Sequence, residues 1–366
     1  MIVMALDHVR DFFGIPGVNP VNLAQTSVPL FLTRFITHIC APTFFLLTGT
    51  GAWFSRKSVP ERSRFLLTRG LWLLVLEVTV IRCLGLQFNF DYHVTGLIVI
   101  WALGWAMIVL AGLVWLPVTA VLAIGVVMIV GHNVLDLVQS THPLWIFLHS
   151  PGLLVNTPGV VVFVGYPLVP WVGVTAVGYA LGQVYGWPPE RRRSFLLRWG
   201  TGLIAAFLVL RWLNIYGDPA PWSAQASNAM TLVSFLNTSK YPPSLLFLLM
   251  TLGPALLLLC ALDRGTPKAL APAAVFGRVP LFYFVLHFFL IHLLAVLVCY
   301  AMYGSAHWMV QSPDLGNYPF TVPPGWGFGL PVVYAVWVAI VIALYPVCAW
   351  YARVKQRSSS PWLSYL

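Results

Sequence analysis

Four ionisable residues occupy five positions near the N-terminus, Asp7-His8-Val9-Arg10-Asp11, at the end of an apolar run. Histidine is the side chain best suited to moving a proton near neutral pH, and a neighbouring carboxylate can fix its tautomer and stabilise its charged form. At helical spacing Asp7 and Asp11 share a face, His8 can meet Asp11, and Asp7 can meet Arg10. Such a group could deprotonate a substrate hydroxyl or amine, and the same residues also suit a structural ion-pair network at a helix end. Arg34 and His38 lie four residues apart on one helical face, and Glu77 precedes Arg82 by five. Both pairs are expected to meet the first cluster across helices, with Glu77 orienting a cation rather than acting itself. His287 and His292 are five residues apart, about 140° around a helix, so one is expected to line the cavity and the other to pack against a neighbouring helix. No metal is expected, because neither HExxH nor a paired Cys/His spacing occurs. A GxSxG elbow, a P-loop and a GxGxxG followed by an acidic residue are also missing, which removes most support for a hydrolase or a nucleotide-driven motor.

The elements that must position these residues are transmembrane helices. Of 366 residues, 59% are hydrophobic and 8% charged, against about 25% charged in a typical soluble domain. Stretches of roughly 20 apolar residues, the length of a bilayer span, recur throughout, leaving no room for a sizeable soluble domain. The expected spans are Met1–Phe13, Leu30–Phe54, Phe65–Leu84, Thr95–Leu113, Pro117–Leu135, Val162–Val184, Phe195–Leu213, Ser244–Leu262, Val279–Met302 and Leu330–Trp350. The fold class is therefore all-α, a polytopic membrane helix bundle of about ten spans in one domain. The net charge of +10 reflects dispersed loop residues rather than a nucleic-acid surface. Arg56, Lys57, Arg62 and Arg64 follow span two, and Arg191, Arg192, Arg193 and Arg198 follow span six. Arg264, Lys268 and Arg278 follow span eight, and Arg353, Lys355 and Arg357 follow span ten. An alternating path puts all of them, and both termini, on the cytoplasmic face. The longer connections, 14–29, 136–161, 214–243 and 304–328, then lie outside and can form a binding vestibule. The five cysteines fall in or beside apolar segments without a pairing pattern and read as small buried residues. The first span covers only about 20 Å of helix, so the natural protein is expected to begin upstream of Met1.

The segments MALDHVRDFF, FLTRFITHICAPTFFLLTGTGAWF, RFLLTRGLWLLVLEVTVIR, YPLVPWVGVTAVGYALG, NTSKYPPSLLFLLMTLGPALL and RVPLFYFVLHFFLIH resemble the bacterial relatives of heparan-α-glucosaminide N-acetyltransferase. The resemblance runs from Met1 to the closing WLSYL. The wider transmembrane acyltransferase group carries an arginine about eleven positions before a histidine in its first span. His8 corresponds to that histidine, and the arginine would fall before Met1. The resemblance implies acyl transfer from cytoplasmic acetyl-coenzyme A, or another acyl-coenzyme A, to an extracytoplasmic acceptor, often a sugar or glycan. It further implies a bacterial inner-membrane location. His8, Asp7 and Asp11 would carry the chemistry, while Arg10, Arg34, His38, Glu77, Arg82 and His287 would bind or support the substrates. Asn237 and Lys240 are candidate acceptor contacts, and the prolines of YPLVP and KYPPS shape helix entry.

A proton-coupled transporter or flippase is the competing class, because intramembrane Asp, Glu, His and Arg also build proton relays. Inverted repeats or paired broken helices would favour it, and neither is visible in the sequence. The lipid bilayer is the surrounding partner, nucleic acid is not expected, and a homo-oligomer is compatible with the sequence.

Overall fold

The computed structural model describes residues 1–55, 57–358 and 363. Arg56 of the first basic loop, and the closing WLSYL apart from Leu363, lie outside the described residues. The chain runs through α1 (Ile2–Phe13), α2 (Val28–Thr37), α3 (Cys40–Phe54) and α4 (Val59–Leu76), which passes directly into a π-helix at Glu77–Leu86. After β1 (Val94–Leu97) come α5 (Val99–Leu113) and α6 (Val118–Gly131), which ends in a 3-10 turn, His132–Leu137. Then follow α7 (Pro143–Leu148), β2 (Gly152–Thr157), β3 (Val160–Val164), α8 (Leu168–Leu181), α9 (Pro189–Leu213), α10 (Asn228–Leu236) and α11 (Leu245–Leu262). The last helices are α12 (Ala271–Arg278), α13 (Pro280–Tyr303) and α14 (Leu330–Arg357).

Local sequence accounts for many boundaries. Ser27, Ser227 and Ser244 cap α2, α10 and α11 by accepting the N–H groups of Leu30, Met230 and Phe247, which satisfies donors that have no partner within the helix. Glu61 turns back at the start of α4 to accept the Ser58 N–H at 3.0 Å. Helices α9 and α13 stop on left-handed residues, Asn214 and Gly304. The expected second span is divided at His38–Ile39. Pro42 lacks the N–H that would bond the His38 carbonyl, so the helix is weakest there.

Among the described residues, seven segments are long and apolar enough to cross a bilayer: Val28–Phe54, Val118–Leu137, Leu168–Gly186, Pro189–Leu213, Leu245–Leu262, Pro280–Tyr303 and Leu330–Arg357. Val99–Leu113 is apolar but shorter. In an apolar 18-residue stretch of each, 78% of Leu168–Gly186 is buried, against 22% in Pro189–Leu213 and in Leu330–Arg357. Helix α8 is thus central, and α9 and α14 turn apolar side chains such as Trp212 and Ile342 outward, as a lipid-facing surface requires.

In lipid, helix association depends on close packing rather than on the hydrophobic effect, and small residues permit it. Four of the extensively packed helix pairs place glycine against glycine. Gly49 of α3 meets Gly178 of α8, Gly70 of α4 meets Gly104 of α5, Gly125 of α6 meets Gly173 of α8, and Gly200 of α9 meets Gly253 of α11. At each of these positions a Cβ would run into the partner helix.

The expectation of a purely helical chain needs one correction, a three-stranded sheet in the order β1-β3-β2. Strands β1 and β3 are parallel, with Val94 opposite Val161, and β2 and β3 are antiparallel, with Gly152 opposite Val164. The expected fourth span, from Thr95, and the expected sixth span, from Val162, thus begin inside strands β1 and β3. The β-branched run Val160-Val161-Val162 favours strand, and the helix begins only after Pro167.

Helix α1 packs against α2, α13 and α14. Its C-terminal carbonyls are held by the loop before α14, since Trp326 donates Nε1–H to Phe12 O at 3.1 Å and Phe328 donates N–H to Phe13 O at 2.8 Å. Trp337 donates to Ile2 O at 2.9 Å near the other end. These bonds fix the short helix that carries His8.

Candidate active site

The first-helix cluster forms as its spacing suggests. Arg10 Nη2 donates to Asp7 Oδ1 at 3.0 Å and to Asp11 Oδ1 at 2.6 Å. His8 Nδ1 stands 3.7 Å from Asp11 Oδ2, an ion-pair distance rather than a hydrogen bond. The His8 side chain is 19% exposed and that of Asp11 41%. Asp7 is buried, and its second oxygen accepts from Arg34 of α2. Asp7 therefore bridges two guanidinium groups, which makes it an ion-pair hub.

Arg34 extends the network, with Nη2 3.5 Å from the Tyr241 hydroxyl, which lies 3.5 Å from the Tyr166 hydroxyl. The Lys240 ammonium sits near both phenol rings, 5.9 Å from the Tyr166 centroid and 5.1 Å from that of Tyr241. Burial pushes the Tyr241 phenol up, but the Lys240 and Arg34 cations outweigh it, so its pKa lies below the ordinary tyrosine value. Asp7, His8, Thr37, Cys40, Tyr166 and Lys240 line a cavity of about 50 Å³, with room for a few waters and not for a sugar. A larger cavity of about 480 Å³ between α6, α8, α9 and α11 is almost wholly apolar and has no ionisable residue in its wall. The ionisable residues are therefore at the smaller one.

His287 and His292 point to different surroundings, but neither lines the small cavity, against the expectation that one would. The His287 ring lies 5.2 Å from that of His8, its Nδ1 is 3.0 Å from Tyr283 O, and its Nε2 has no partner. His292 is held between Gly85 O and Met309 O, at 2.9 and 2.7 Å, and serves packing. His38 is buried against Phe247 with Nδ1 unpartnered, on the helix that brings Arg34 to Asp7. Phe288 covers His8, with centroids 4.1 Å apart.

Three expected site residues are committed elsewhere. Glu77 accepts the N–H of Trp101 at 3.0 Å, near the start of α5, so a helix N-terminus takes the place of the expected cation. Arg82 bonds Asn89 O, Asn89 Oδ1, Asp91 Oδ1 and Val94 O, and lies over the Tyr92 ring. It shapes the loop before β1 and does not join the His8 cluster. Asn237 donates its amide to Val21 O at 2.8 Å and its own carbonyl accepts from Arg211. It ties two loops together.

Two supporting residues had no signal at the sequence level. Asp218 accepts from Ser239 N, Ser239 Oγ and Ser244 Oγ, at 2.8, 3.1 and 2.6 Å, fixing the loop that carries Lys240 and Tyr241. Buried Arg211 bonds the carbonyls of Ala220, Ser234, Phe235 and Asn237, three of them at the C-terminal end of α10, where cations are favoured. A lone Asp in a loop and an Arg at a helix end resemble ordinary surface residues until the fold surrounds them.

A helical membrane bundle thus gathers a histidine, two carboxylates and two arginines beside a small cavity. Residues 1–217 match the family described as heparan-alpha-glucosaminide N-acetyltransferase, catalytic, and the chain belongs to that family. Membership marks it as a transmembrane acetyltransferase type of protein. No curated protein and no solved structure matches the chain significantly.

Proposed function

We propose that this protein transfers an acetyl or other acyl group from cytoplasmic acyl-coenzyme A to an extracytoplasmic acceptor, a sugar or glycan, with His8 taking the acceptor's proton. The observation that carries this reading is the placement of His8. It lines the small cavity, whose wall is mostly apolar but carries Asp7 and Lys240, and Asp11 stands at ion-pair distance. In this reading α1, α4 with its π-helical continuation, and α5 also cross the membrane, completing ten spans. Both termini then face the cytoplasm of a bacterial inner membrane, because the basic loops share one face.

The residues of that face suit the phosphates of the donor. Arg191, Arg198, Lys268 and Arg278 are exposed there, and Arg191 stacks on the Trp187 ring at 4.3 Å, leaving cationic groups for phosphate oxygens. The donor supplies an acyl group activated as a thioester. As the acceptor's nitrogen or oxygen attacks the thioester carbonyl, His8 takes its proton and Asp11 stabilises the resulting imidazolium. The C–S bond then breaks to release coenzyme A thiolate, which receives that proton from His8. Lys240 offers a cation at the cavity wall where negative charge on oxygen would develop. At about 50 Å³ the cavity must widen before an acceptor can enter.

The test is transfer of labelled acetyl from acetyl-coenzyme A to extracted envelope glycans by the reconstituted full-length protein. His8 makes no hydrogen bond whose loss would strand a partner, so His8→Ala should still fold, with a modestly lower Tm from the space left against Phe288. Its transfer rate should fall about 10²–10⁴-fold, the usual loss when a general base is removed. Asp11→Asn should be milder, because its carboxylate acts only at 3.7 Å. Transfer at the wild-type rate by folded His8→Ala would remove His8 from the mechanism.

A further inference from the structure

We propose that His132, Asp136 and His149 form a divalent transition-metal site, with zinc as its occupant, that fastens the connection between α6 and α8. His132 and Asp136 flank one turn of the 3-10 segment that ends α6, and His149 caps α7. Both imidazoles are inside the protein, His132 at 2% exposure and His149 at 1%. One ligand atom from each of the three residues lies within 4.8 Å of the other two.

Among the described residues, the hydrogen bonding of this cluster leaves buried ring nitrogens without a partner. His149 Nε2 is 2.9 Å from Asp136 Oδ1, which satisfies that pair. Neither ring nitrogen of His132 has a hydrogen bond of ordinary geometry, and His149 Nδ1 has none either. A neutral imidazole carries one N–H and one lone pair, so His132 buries both without a use for the lone pair. The Pro243 carbonyl lies against this ring and can receive its N–H, the arrangement that orients a metal-bound histidine. Asp136 is prepared in the same manner. Asn133 Nδ2 donates to its Oδ2 at 2.7 Å, leaving Oδ1 toward the two histidines, and Asn133 Oδ1 accepts the Leu245 N–H at 2.9 Å.

Two imidazoles and one carboxylate are a zinc donor set, with bonds of about 2.0–2.2 Å and donor atoms therefore about 3.3–3.6 Å apart in a tetrahedron. Reaching that geometry requires the ion to replace the 2.9 Å hydrogen bond between His149 and Asp136. That pair opens by about half an ångström while the widest separation contracts by about an ångström or just over, both side-chain adjustments. A fourth position remains for water. The bound ion would join the ends of α6 and α7 and, through Asn133, the start of α11. It would brace the segment leading through β2 and β3 to Tyr166, a wall of the His8 cavity. Nothing in this inference depends on the proposed acyl transfer.

The measurement is zinc content of the full-length protein, purified in detergent without a polyhistidine tag, stripped with chelator, reloaded with zinc chloride and desalted. Wild type should hold about one zinc per chain, and His132→Ala, Asp136→Asn and His149→Ala should hold almost none. Asn133→Ala keeps all three ligands and should weaken zinc binding by about 10–100-fold, the usual effect of removing an outer-shell support. Substituting the exposed histidines His93, His142 and His307 by Ala should leave zinc content unchanged. Should a ligand variant fail to fold, cobalt-loaded wild type decides the matter, since an N/O tetrahedral site gives visible bands without thiolate charge transfer. Wild type without zinc, zinc undiminished in all three folded ligand variants, or a thiolate signature in the cobalt protein would overturn the assignment.

Discussion

Replacing Asp7 by Asn keeps the side chain's size and removes the anion that Arg10 and Arg34 share. The two guanidinium groups are equally enclosed, each at 11% side-chain exposure. Their prospects differ, because Arg10 retains Asp11 at 2.6 Å while Arg34 keeps only the Tyr241 hydroxyl at 3.5 Å. Breaking a buried pair by removing one partner costs about 3–5 kcal/mol, and the rescue of Arg10 places Asp7→Asn near the lower end. At roughly 2 °C per kcal/mol for a chain of this size, Tm should fall by about 6 °C. Arg34→Met removes the stranded cation, so Asp7→Asn with Arg34→Met should recover most of that loss, with a coupling of at least about 1.5 kcal/mol. Thermal unfolding of the detergent-purified proteins followed by tryptophan fluorescence reads all four corners of the cycle. An unchanged Tm in Asp7→Asn, or a double variant no more stable than the worse single, would refute the role of Asp7 as an ion-pair hub. Full stability combined with lost acetyl transfer would make Asp7 itself a proton acceptor.

Gly178→Val should drive α3 from α8, because its Cβ would enter the Leu46 carbonyl, whereas Gly51→Ala meets nothing within 4 Å and should be neutral. Size-exclusion profiles of the two variants in detergent compare them directly. At the opposite face, Asp263 accepts from Arg192 Nε at 2.6 Å and Arg193 Nε at 3.0 Å, and the Arg192 hydrogen bonds hold its carboxyl below the usual carboxylate range. Its contribution to stability is therefore present above its unfolded pKa of about 3.8 and is lost as pH falls through the lower folded value. Arg192→Gln with Arg193→Gln should make the acid limb of a Tm-against-pH curve shallower, and an unchanged limb would contradict this. Ser227→Cys, on the connection before α10, should be labelled by an impermeant maleimide in intact cells, and labelling only after permeabilisation would reverse the topology.

The contrast between Asp7 and Glu77 shows what a sequence can reveal about a membrane site. Both are acids inside apolar helices, and the cost of leaving either unpaired in hydrocarbon means that each must have a partner. Helical periodicity identifies a partner on the same helix, so the contacts of Asp7 with Arg10 and of His8 with Asp11 were legible from spacing alone. A partner across helices is set by packing, which here depends on glycine pairs spread over the chain. Arg34 reached Asp7 as expected, but Glu77 found the first turn of α5, whose unbonded N–H groups are invisible in a list of charged residues. Arg82 likewise satisfied itself on the carbonyls of a loop. The same limit hid the sheet, since Val162–Val164 is as apolar as a span, and only β-branching and the later Pro167 distinguish it. It also hid His149, which sits in a connection and approaches His132 and Asp136 only once α7 has packed. An ionisable residue in an apolar sequence thus establishes that compensation exists, and whether it comes from a charge, a backbone dipole or a metal is decided by tertiary geometry.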